Sequence, residues 1–531
     1  MGLNDEQLQA VNSKSDRILC LAGAGAGKTF TFIERITKLV ADGAIPSSIL
    51  ALTFTNAAAA EMKARYEAKN VGKEIPEFRT FHSFCYSILC KDVNIRAALG
   101  YDNVPDIASE DQEKDIQEKA KTQCNITLSK EKLKTRKGLT QKEQFSVDLY
   151  DKAVNRLMRS MNLITFDKLN NDVADLFASG HSATRFYKDK YRYIFVDEFQ
   201  DTDGYQIKFL NSFTDTNFYF CGDTLQEIYR FRGTSNEYIK ALANSDGWEK
   251  IKLFTNYRST NQICEYANKF SEKYADASYR IEMRGIRDGD KVIKKLIDGP
   301  AKYSAIDCKA VDDAITTSST LDGTSAILCR SNKEVSALIA YLKDKDIEFT
   351  TSKDTKIQHL IECALSDSYM LGSLASNLSS NKYGEYIRMA AQTMTPNLDW
   401  FIKLYGNVPQ VKEDVTRINL IKDIANSPKP TNEKLQEVKE AFHIKNIKET
   451  DELYIGPEFL KYLKEAIMEV KTSELYVGTI HSVKGLEYDN VFVMNVGSFS
   501  FRLDDEEMKN LFYVAITRAK NHLIIYELFD D

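Results

Sequence analysis

The sequence lacks any apolar run of about 18 to 20 residues, the length that a membrane-spanning helix requires. It also shows no apolar amino-terminal stretch of the kind found in signal peptides. These absences predict a cytoplasmic protein with no membrane partner.

The distribution of cysteine and proline also argues against several kinds of structure. The 9 cysteines are scattered without a CxxC pair, which argues against both a zinc ribbon and a disulfide framework. With only 9 prolines and no long Gly/Ser tract, long flexible linkers are not expected.

Overall basic charge is absent as well: 71 Lys and Arg oppose 77 Asp and Glu, so a polyanionic partner would have to meet locally basic surface.

What the chain does contain is typical of α/β domains. Its 531 residues, 43% of them hydrophobic, are too many for one core and predict two to four domains. Short β-rich apolar runs alternate with helical stretches, a pattern that favours buried parallel strands. The runs begin at Arg17, Ser48, Arg192, Asn217, Ser325, Asn490 and His522. Two tracts, 88–163 and 351–470, are predicted to be mainly helical insertions into two sheet-based cores.

A glycine-rich segment, AGAGAGKT, follows the first predicted strand and precedes an amphipathic stretch. This context is typical of a P-loop, whose glycines let backbone N–H groups face phosphate oxygens. Lys28 would supply charge to the β and γ phosphates, and Thr29 a hydroxyl to Mg²⁺. A glycine turn without function is the alternative, which the strand and helix context disfavours. The predicted phosphate-binding residues are Ala22, Gly23, Ala24, Gly25, Ala26, Gly27, Lys28 and Thr29.

A second apolar strand ends in DEFQDT. Asp197 could hold the Mg²⁺ shell, and Glu198 could orient or deprotonate the attacking water. A lone acidic pair at a strand end is usually only solvated, but here it follows a P-loop. The two motifs together predict an ATPase or a GTPase.

Further segments resemble superfamily 1 helicases of the UvrD, Rep and PcrA type, and they occur in that family's order. They are LNDEQLQAV, TFTNAAAAEMKAR, TFHSF, CGDTLQEIYRFRG, NYRS, TIHSVKGLEYDNVF and LFYVAITRAK, between residues 3 and 520. The resemblance implies two RecA-like P-loop cores with parallel sheets, each carrying a helical insertion. It places the first core at 1–87 and 164–255, with its insertion at 88–163. The second core would span 256–350 and 471–531, with an abbreviated insertion at 351–470.

The resemblance also implies roles at the nucleotide. Gln7 is similar to the glutamine that reads adenine, and Tyr257 to the aromatic that stacks on it, which favours ATP over GTP. Gln226 resembles the γ-phosphate sensor and Glu487 the carboxylate that accepts from the ribose. Arg258 and Arg518 resemble two arginine fingers that stabilise the transition state from the second core. The implied catalytic set is Lys28, Asp197, Glu198, Gln226, Arg258 and Arg518.

For nucleic acid, the resemblance implies stacking and backbone contacts without base reading. Ordinary core aromatics and satisfied core histidines are the alternatives at these positions. The implied DNA contacts are Phe54, Asn56, Thr80, His82, Tyr229, Phe231, Arg232, Thr479 and His481, with Thr53 as a further backbone or coupling contact. Ala57 stands where the family usually has a lysine, which removes one phosphate contact.

The resemblance therefore implies an ATP- and Mg²⁺-dependent translocase and helicase that moves 3′ to 5′, in DNA repair, recombination or replication. Its partners would be single-stranded DNA and single-strand/duplex junctions. The chain stops soon after Arg518, so a nuclease or a repair or defence partner would be a separate polypeptide. Two alternatives stay open: an ATP-switched DNA-binding subunit of a repair or anti-phage complex, and a motor that moves on RNA.

Overall fold

The structure is a computed structural model. It describes residues 2–70, 74–126, 128–129, 132–133, 136, 138–230, 233–299, 305–351, 473–498 and 501–528. The insertion predicted at 351–470 therefore lies outside the described residues except for residue 351. The described chain forms two compact units, one from Met1–Ile293 and Arg502–Leu523, the other from Lys294–Phe501 and Ile524–Asp531. The core and insertion boundaries predicted from the sequence stay a prediction.

The first unit is built on a six-stranded sheet of order β3-β2-β6-β7-β1-β8, in which every neighbouring pair is parallel. Its strands are β1 (Arg17–Ala22), β2 (Ile49–Thr53), β3 (Glu77–Thr80), β6 (Tyr193–Val196), β7 (Asn217–Gly222) and β8 (Glu249–Leu253). Two short parallel pairs accompany it: β4 (Asp106–Ile107) with β5 (Leu163–Ile164), and β9 (Thr255–Asn256) with β10 (Arg284–Gly285).

Helices cover this sheet, so its central strands are apolar along their whole length instead of alternating. β2 is buried at every residue and β1 at all but its first. The helices are α1 (Asp5–Asn12), α2 (Lys28–Ala41), α3 (Asn56–Lys69), α4 (Phe81–Lys91), α5 (Val93–Ala98), α6 (Glu110–Gln123), α7 (Gln141–Ser160), α8 (Phe166–Ala178), α9 (Arg185–Lys190), α10 (Gly204–Asn211), α11 (Glu237–Asn244), α12 (Asn261–Ser271) and, after the second unit's chain, α15 (Glu506–Ile516).

The tract 88–163 is mainly helical, as predicted, with α5, α6 and α7 as its principal elements. A small separate core lies there, in which Val147, Tyr150 and Ala153 of α7 pack with Ala120 of α6. The β4–β5 pair was not expected, because two residues per strand are too few to produce a hydrophobic period.

The second unit is built on a sheet of order β11-β16-β15-β12-β14-β13. β12 pairs in parallel with β14 and β15, and β13 pairs in parallel with β14. Its elements are β11 (Ile293–Ile297), α13 (Cys308–Ser318), β12 (Ser325–Cys329), α14 (Asn332–Asp344), β13 (Thr350–Thr351), β14 (Leu475–Thr479), β15 (Tyr488–Val496) and β16 (Ala519–Leu528).

All of the apolar runs predicted as strands are strands in the structure, and the α/β fold with parallel sheets is confirmed. Among the described residues, no helix combines the length and the apolar character needed to cross a membrane.

Candidate nucleotide and nucleic-acid site

The glycine-rich segment forms the loop between β1 and α2, at the carboxyl edge of the first sheet. Gly25 and Gly27 adopt φ values of +68° and +75°, which other residues rarely take. A Cβ at Gly25 would lie 2.7 Å from both Arg258 Cβ and Asn256 Oδ1, so the loop also requires glycine for space. No side chain caps the amino terminus of α2. Its N–H groups are thus available to an anion.

A tight anchor fixes this helix against α1. Arg35 of α2 is buried, and its Nη1 donates to the carbonyl oxygens of Ala10, Val11 and Ser13 at 2.7, 3.2 and 3.2 Å. These bonds satisfy the carboxyl-terminal carbonyls of α1, which no helical N–H can reach. The anchor places Gln7, on the same short helix, beside the glycine loop.

The acidic pair follows β6, two strands away from β1 in the sheet. The N–H of Asp197 continues the sheet by donating to Leu52 O at 2.9 Å, whereas Glu198 leaves it with φ 51° and ψ 44°. A left-handed conformation at a residue other than glycine costs on the order of 1 kcal/mol or more and is typical of functional sites. It turns the Glu198 side chain away from the strand direction.

Asp197 is the residue best suited to a metal ion. Only 5% of its surface is exposed, and its Oδ1 is buried without a hydrogen-bond partner among the described residues. Burial, with a smaller contribution from Glu198, raises the pKa of its carboxyl to about 7, while Lys28 opposes the shift. The Thr29 hydroxyl acts on the same carboxyl group and lowers its pKa slightly. An unsatisfied carboxylate oxygen beside a hydroxyl fits a Mg²⁺ site.

Lys28 lies within the field of several carboxylates. Burial alone would lower the pKa of its ammonium group, but Glu198, Asp223 and Asp197 together raise it above its usual value. Asp223, which follows β7, is 3% exposed, and burial raises its pKa despite the charge of Lys28. Lys28 therefore stays cationic among the acids at these strand ends.

Asp223 begins a chain of contacts that sequence reasoning missed. Gln226 donates through Nε2 to Asp223 Oδ2 at 2.7 Å, and its Oε1 accepts from Arg518 Nη2 at 3.3 Å. Arg518 is 1% exposed, and its Nε also donates to Val514 O at 3.0 Å. Burial and the nearby charge of Arg258 lower the pKa of Arg518 to about 9. The predicted sensor and one predicted arginine finger are thus in direct contact.

The NYRS segment packs directly on the glycine loop. Asn256 donates through Nδ2 to Ala24 O at 2.8 Å, and its Oδ1 accepts from the N–H groups of Arg258 and Ser259 at 2.8 Å each. The N–H of Tyr257 donates to Gly25 O at 2.9 Å. Arg258 in turn donates through Nη1 to Thr517 O at 3.1 Å. Asn256, which was not predicted, is the residue that holds Arg258 beside the loop.

Gln7 and Glu487 are two of the residues predicted to contact the base and the ribose. Gln7 is 2% exposed; its Oε1 accepts from Asn4 N at 3.2 Å and its Nε2 donates to Ala26 O at 3.2 Å. Both ends of the amide are thus engaged by the capping box of α1 and by the glycine loop. Glu487 lies in the second unit, exposed, directly before β15.

The predicted nucleic-acid residues fall into separate groups. Phe54 and Tyr229 stack with ring centroids 5.3 Å apart and an interplanar angle of 11°. Thr80 donates through Oγ1 to Asn56 Oδ1 at 3.3 Å. The ring of His82 contacts Phe166 edge-on, and burial lowers the pKa of the His82 imidazole.

Buried Thr53 ends β2 immediately before Phe54. Thr479 and His481 are half-buried in the second unit, whereas Phe231 and Arg232 lie outside the described residues.

Comparisons with known proteins give the same order of segments. The UvrD/REP helicase N-terminal domain matches residues 3–246, and the UvrD-like helicase C-terminal domain matches residues 251–365 and 370–528.

Individual relatives match over nearly the whole chain. The probable DNA helicase II homolog of Mycoplasma capricolum subsp. capricolum is 27% identical over 614 residues, covering 98% of this chain and 84% of its own. The ATP-dependent DNA helicase PcrA of Bacillus subtilis is 26% identical over 620 residues, covering 99% and 82%. The PcrA helicase of Staphylococcus epidermidis is 26% identical over 616 residues, covering 98% and 83%. With both domain families matched in order, the chain belongs to the UvrD/REP helicase family.

Proposed function

We propose that this helicase is an ATP-driven motor that moves 3′ to 5′ along single-stranded DNA and separates strands at single-strand/duplex junctions. The observation that carries the proposal is the continuous cluster at the edge of the first sheet, from Lys28 through the strand-end carboxylates to Gln226 and Arg518. Such a complete hydrolytic set is needed to power movement, whereas simple DNA binding does not require it.

In the proposed site, the uncapped N–H groups of α2 and the glycine loop hold the phosphates. Lys28, which the nearby carboxylates keep cationic, would lie against the β and γ phosphates. Thr29 and Asp197 would hold Mg²⁺, which when bound adds positive charge to the phosphates. Glu198 orients the attacking water and accepts its proton.

Arg518 and Arg258 stabilise the charge that develops on the transferred phosphoryl group. The bond between Arg518 and Gln226 supports this role, because a sensor that touches an arginine finger can register the state of the γ phosphate. Gln226 lies only three residues before Tyr229 in the chain, and a shift of the sensor is proposed to be passed along this segment to the aromatic pair.

Nucleotide identity is proposed to depend on Gln7 and Tyr257. To read adenine, Gln7 would exchange its bonds to Asn4 and Ala26 for the donor and acceptor of the purine edge. Tyr257 would stack on the base, and Glu487 would accept from the ribose.

For the strand, the stacked pair of Phe54 and Tyr229 offers a platform for bases, worth about 1 to 3 kcal/mol per base. Asn56, Thr80, His82, Thr479 and His481 would grip phosphate and sugar, which gives no sequence preference. Phe231 and Arg232 are proposed to act in the same way from sequence alone.

The test is steady-state ATP hydrolysis with and without single-stranded DNA, beside displacement of a tight protein block from either strand end. A 3′ to 5′ motor gives strong stimulation and displaces only the block at the 5′ end. A forked duplex with a 3′ tail then tests unwinding at a junction.

Two results would contradict the proposal. Stimulation without displacement from either end would indicate an ATP switch in place of a motor. Equal stimulation by RNA of the same sequence would remove the assignment to DNA. A cytoplasmic location, a role in repair, recombination or replication, and a separate nuclease partner stay predictions from the sequence.

A further inference from the structure

Gln200, a residue of the DEFQDT segment, is fully buried next to the acidic pair. It lies in the short turn Phe199–Asp201 that follows Glu198, with 0% of its surface exposed. Its Nε2 donates to Glu198 Oε2, and its Oε1 accepts from the N–H of Asp223 at 3.0 Å. The two ends of this buried amide thus bond Glu198 and Asp223, the acids that follow β6 and β7.

Gly222, the last residue of β7, makes room for this amide. A Cβ built on Gly222 would overlap Gln200 Oε1, and it would lie 3.0 Å from Ile239 Cδ1 and 3.3 Å from the backbone nitrogen of Gln200. Gly222 has no positive φ, so its backbone conformation does not require glycine. The space taken by Gln200 is what excludes a larger residue here.

We propose that Gln200 is a positioning residue, which sets the orientation of the Glu198 carboxylate and joins it to the loop that carries Gln226. This inference rests on the proposed function, in which Glu198 acts on the attacking water. Gln200 itself touches neither water nor nucleotide in this assignment.

Orientation matters because Glu198 lies among charges of both signs, with Asp197 and Asp223 repelling its carboxylate and Lys28 and Arg518 attracting it. It departs from the strand in a left-handed conformation, and it lies in the same field as Asp197 and Asp223. Without the N–H of Gln200, we expect its carboxylate to turn away from the other acids and towards Lys28, Arg518 or solvent. A donated N–H holds one oxygen in place, which fixes the direction in which the other can accept a proton.

The second bond of the amide gives the connection to the sensor. Asp223, whose N–H is held by Gln200, accepts from Gln226 at 2.7 Å, and Gln226 accepts from Arg518. A movement of Gln226 that follows loss of the γ phosphate would therefore pull on Asp223 and release Glu198. The carboxylate would be aligned only while the sensor is engaged.

Two substitutions separate positioning from simple packing. Gln200→Met keeps the volume but removes both bonds. Gln200→Glu keeps an acceptor for the N–H of Asp223 and removes the donor to Glu198. We expect both variants to lose about 10- to 100-fold in kcat at saturating ATP, the cost of a misplaced reacting group. ATP affinity, measured with a fluorescent analogue, should stay within about threefold of the wild-type value.

A third substitution moves the amide without changing it. Gly222→Ala should displace Gln200 and lower kcat to a similar extent. In the Gly222→Ala/Gln200→Ala double variant, the smaller side chain at 200 removes the overlap. That variant should therefore lose no more than about twofold beyond Gln200→Ala alone, because the two changes affect one contact.

Two control variants distinguish a failure of this inference from a failure of the proposed function. Gln206→Met removes another buried glutamine amide, which accepts from Asp203 N in the capping box of α10 and has no bond to Glu198; it should retain wild-type kcat. Glu198→Gln should abolish turnover while ATP still binds.

If Gln200→Glu turns over at the wild-type rate while Glu198→Gln is inactive, Gln200 does not position Glu198 and only this inference fails. If Glu198→Gln turns over normally, the proposed role of Glu198 fails first. An equal loss of ATP affinity and kcat in the Gln200 variants would indicate a general disruption of the site and would also overturn the inference.

Discussion

The helices that follow the central strands β1 and β12 differ at their amino termini. In the first unit, α2 follows β1 and the glycine loop, and no side chain caps it. In the second unit, α14 follows β12, and Ser331 and Glu334 close its amino terminus as a capping box. Glu334 is 5% exposed and accepts from Ser331 N at 2.7 Å. A helix end without a side-chain cap leaves its first N–H groups open to phosphate, whereas the cap of α14 already engages one of them and places a carboxylate beside the others.

The strand ends differ in charge as well. The first sheet places Asp197 and Asp223 at neighbouring strand ends, where burial raises the pKa of both carboxyls, and a lysine lies among them. In the second unit, the buried acid in the first turn of α14, Glu334, instead accepts from Ser331 and from Asn495 Nδ2, the latter at 3.4 Å. The first sheet therefore gathers buried acids around a lysine, whereas the buried acid at the start of α14 is already bonded to its own helix cap and to Asn495.

The largest expected effect comes from the lysine at the start of α2. Lys28→Ala should lower ATP turnover by on the order of 10³-fold or more, because the charge on the β and γ phosphates is lost. The matched control is Lys333→Ala, an exposed lysine near the start of α14. It should hydrolyse ATP at the wild-type rate; comparable losses in the two variants would end the distinction between the helices. Turnover is measured by phosphate release.

Arg518→Ala should follow closely, with a loss of about 10³-fold in kcat, the lower end of what an arginine finger contributes. ATP binding should persist, since the loop and Lys28 are intact. The same substitution removes the donor to Gln226 Oε1, so stimulation by single-stranded DNA should also decrease. Full DNA stimulation of the remaining turnover would contradict the link between finger and sensor.

Gly25→Ala tests the space in the loop. The alanine would have to adopt φ +68° and displace Arg258 and Asn256, so we expect ATP affinity to fall about 10-fold or more, the effect of 1 to 3 kcal/mol of strain. Gly180→Ala, after α8, is the control, because φ is +71° there but nothing lies within 4 Å of the added Cβ. Isothermal titration with a non-hydrolysable ATP analogue should show an unchanged affinity for that variant.

Tyr229→Ala should weaken single-stranded DNA binding by about 5- to 100-fold, the loss of one stacking platform. Hydrolysis without DNA should be unchanged, because the phosphate site keeps all of its groups. Fluorescence anisotropy with a labelled oligonucleotide measures the first effect and phosphate release the second. If the affinity for DNA is unchanged, the stacking of Tyr229 on Phe54 is an ordinary packing contact and not a platform for bases.

The smallest effect is expected where the second sheet is closed. Ser331→Ala removes the cap of α14 and should lower the free energy of unfolding by about 1 kcal/mol, without changing ATP turnover. Ser331→Asp, which can still cap, should retain stability. Denaturant unfolding measures both variants; a loss of ATP turnover in Ser331→Ala would mean that the second edge also serves the nucleotide.

Sequence patterns predicted every central strand except β14, whose short run LYVGT was missed, and they missed the edge strands. β3 and β8 lie at the two edges of the first sheet, and β11 and β13 at those of the second. One side of an edge strand faces solvent, so its residues are mixed; β11, for example, reads IKKLI. β3 is half-buried along most of its length. Such strands do not form the continuous apolar runs from which the central ones were predicted.

The sequence by itself determined which functional groups the candidate site contains, because the glycine loop, the acidic pair and the NYRS segment are each contiguous. The tertiary structure alone decided which of these groups touch. Gln226 and Arg518 are 292 residues apart in the chain, and Gln200 meets Asp223 and Gly222 only because β6 and β7 are neighbours in the sheet. Contiguous motifs show which functional groups are present, but contacts between distant segments depend on strand order, which no local pattern specifies.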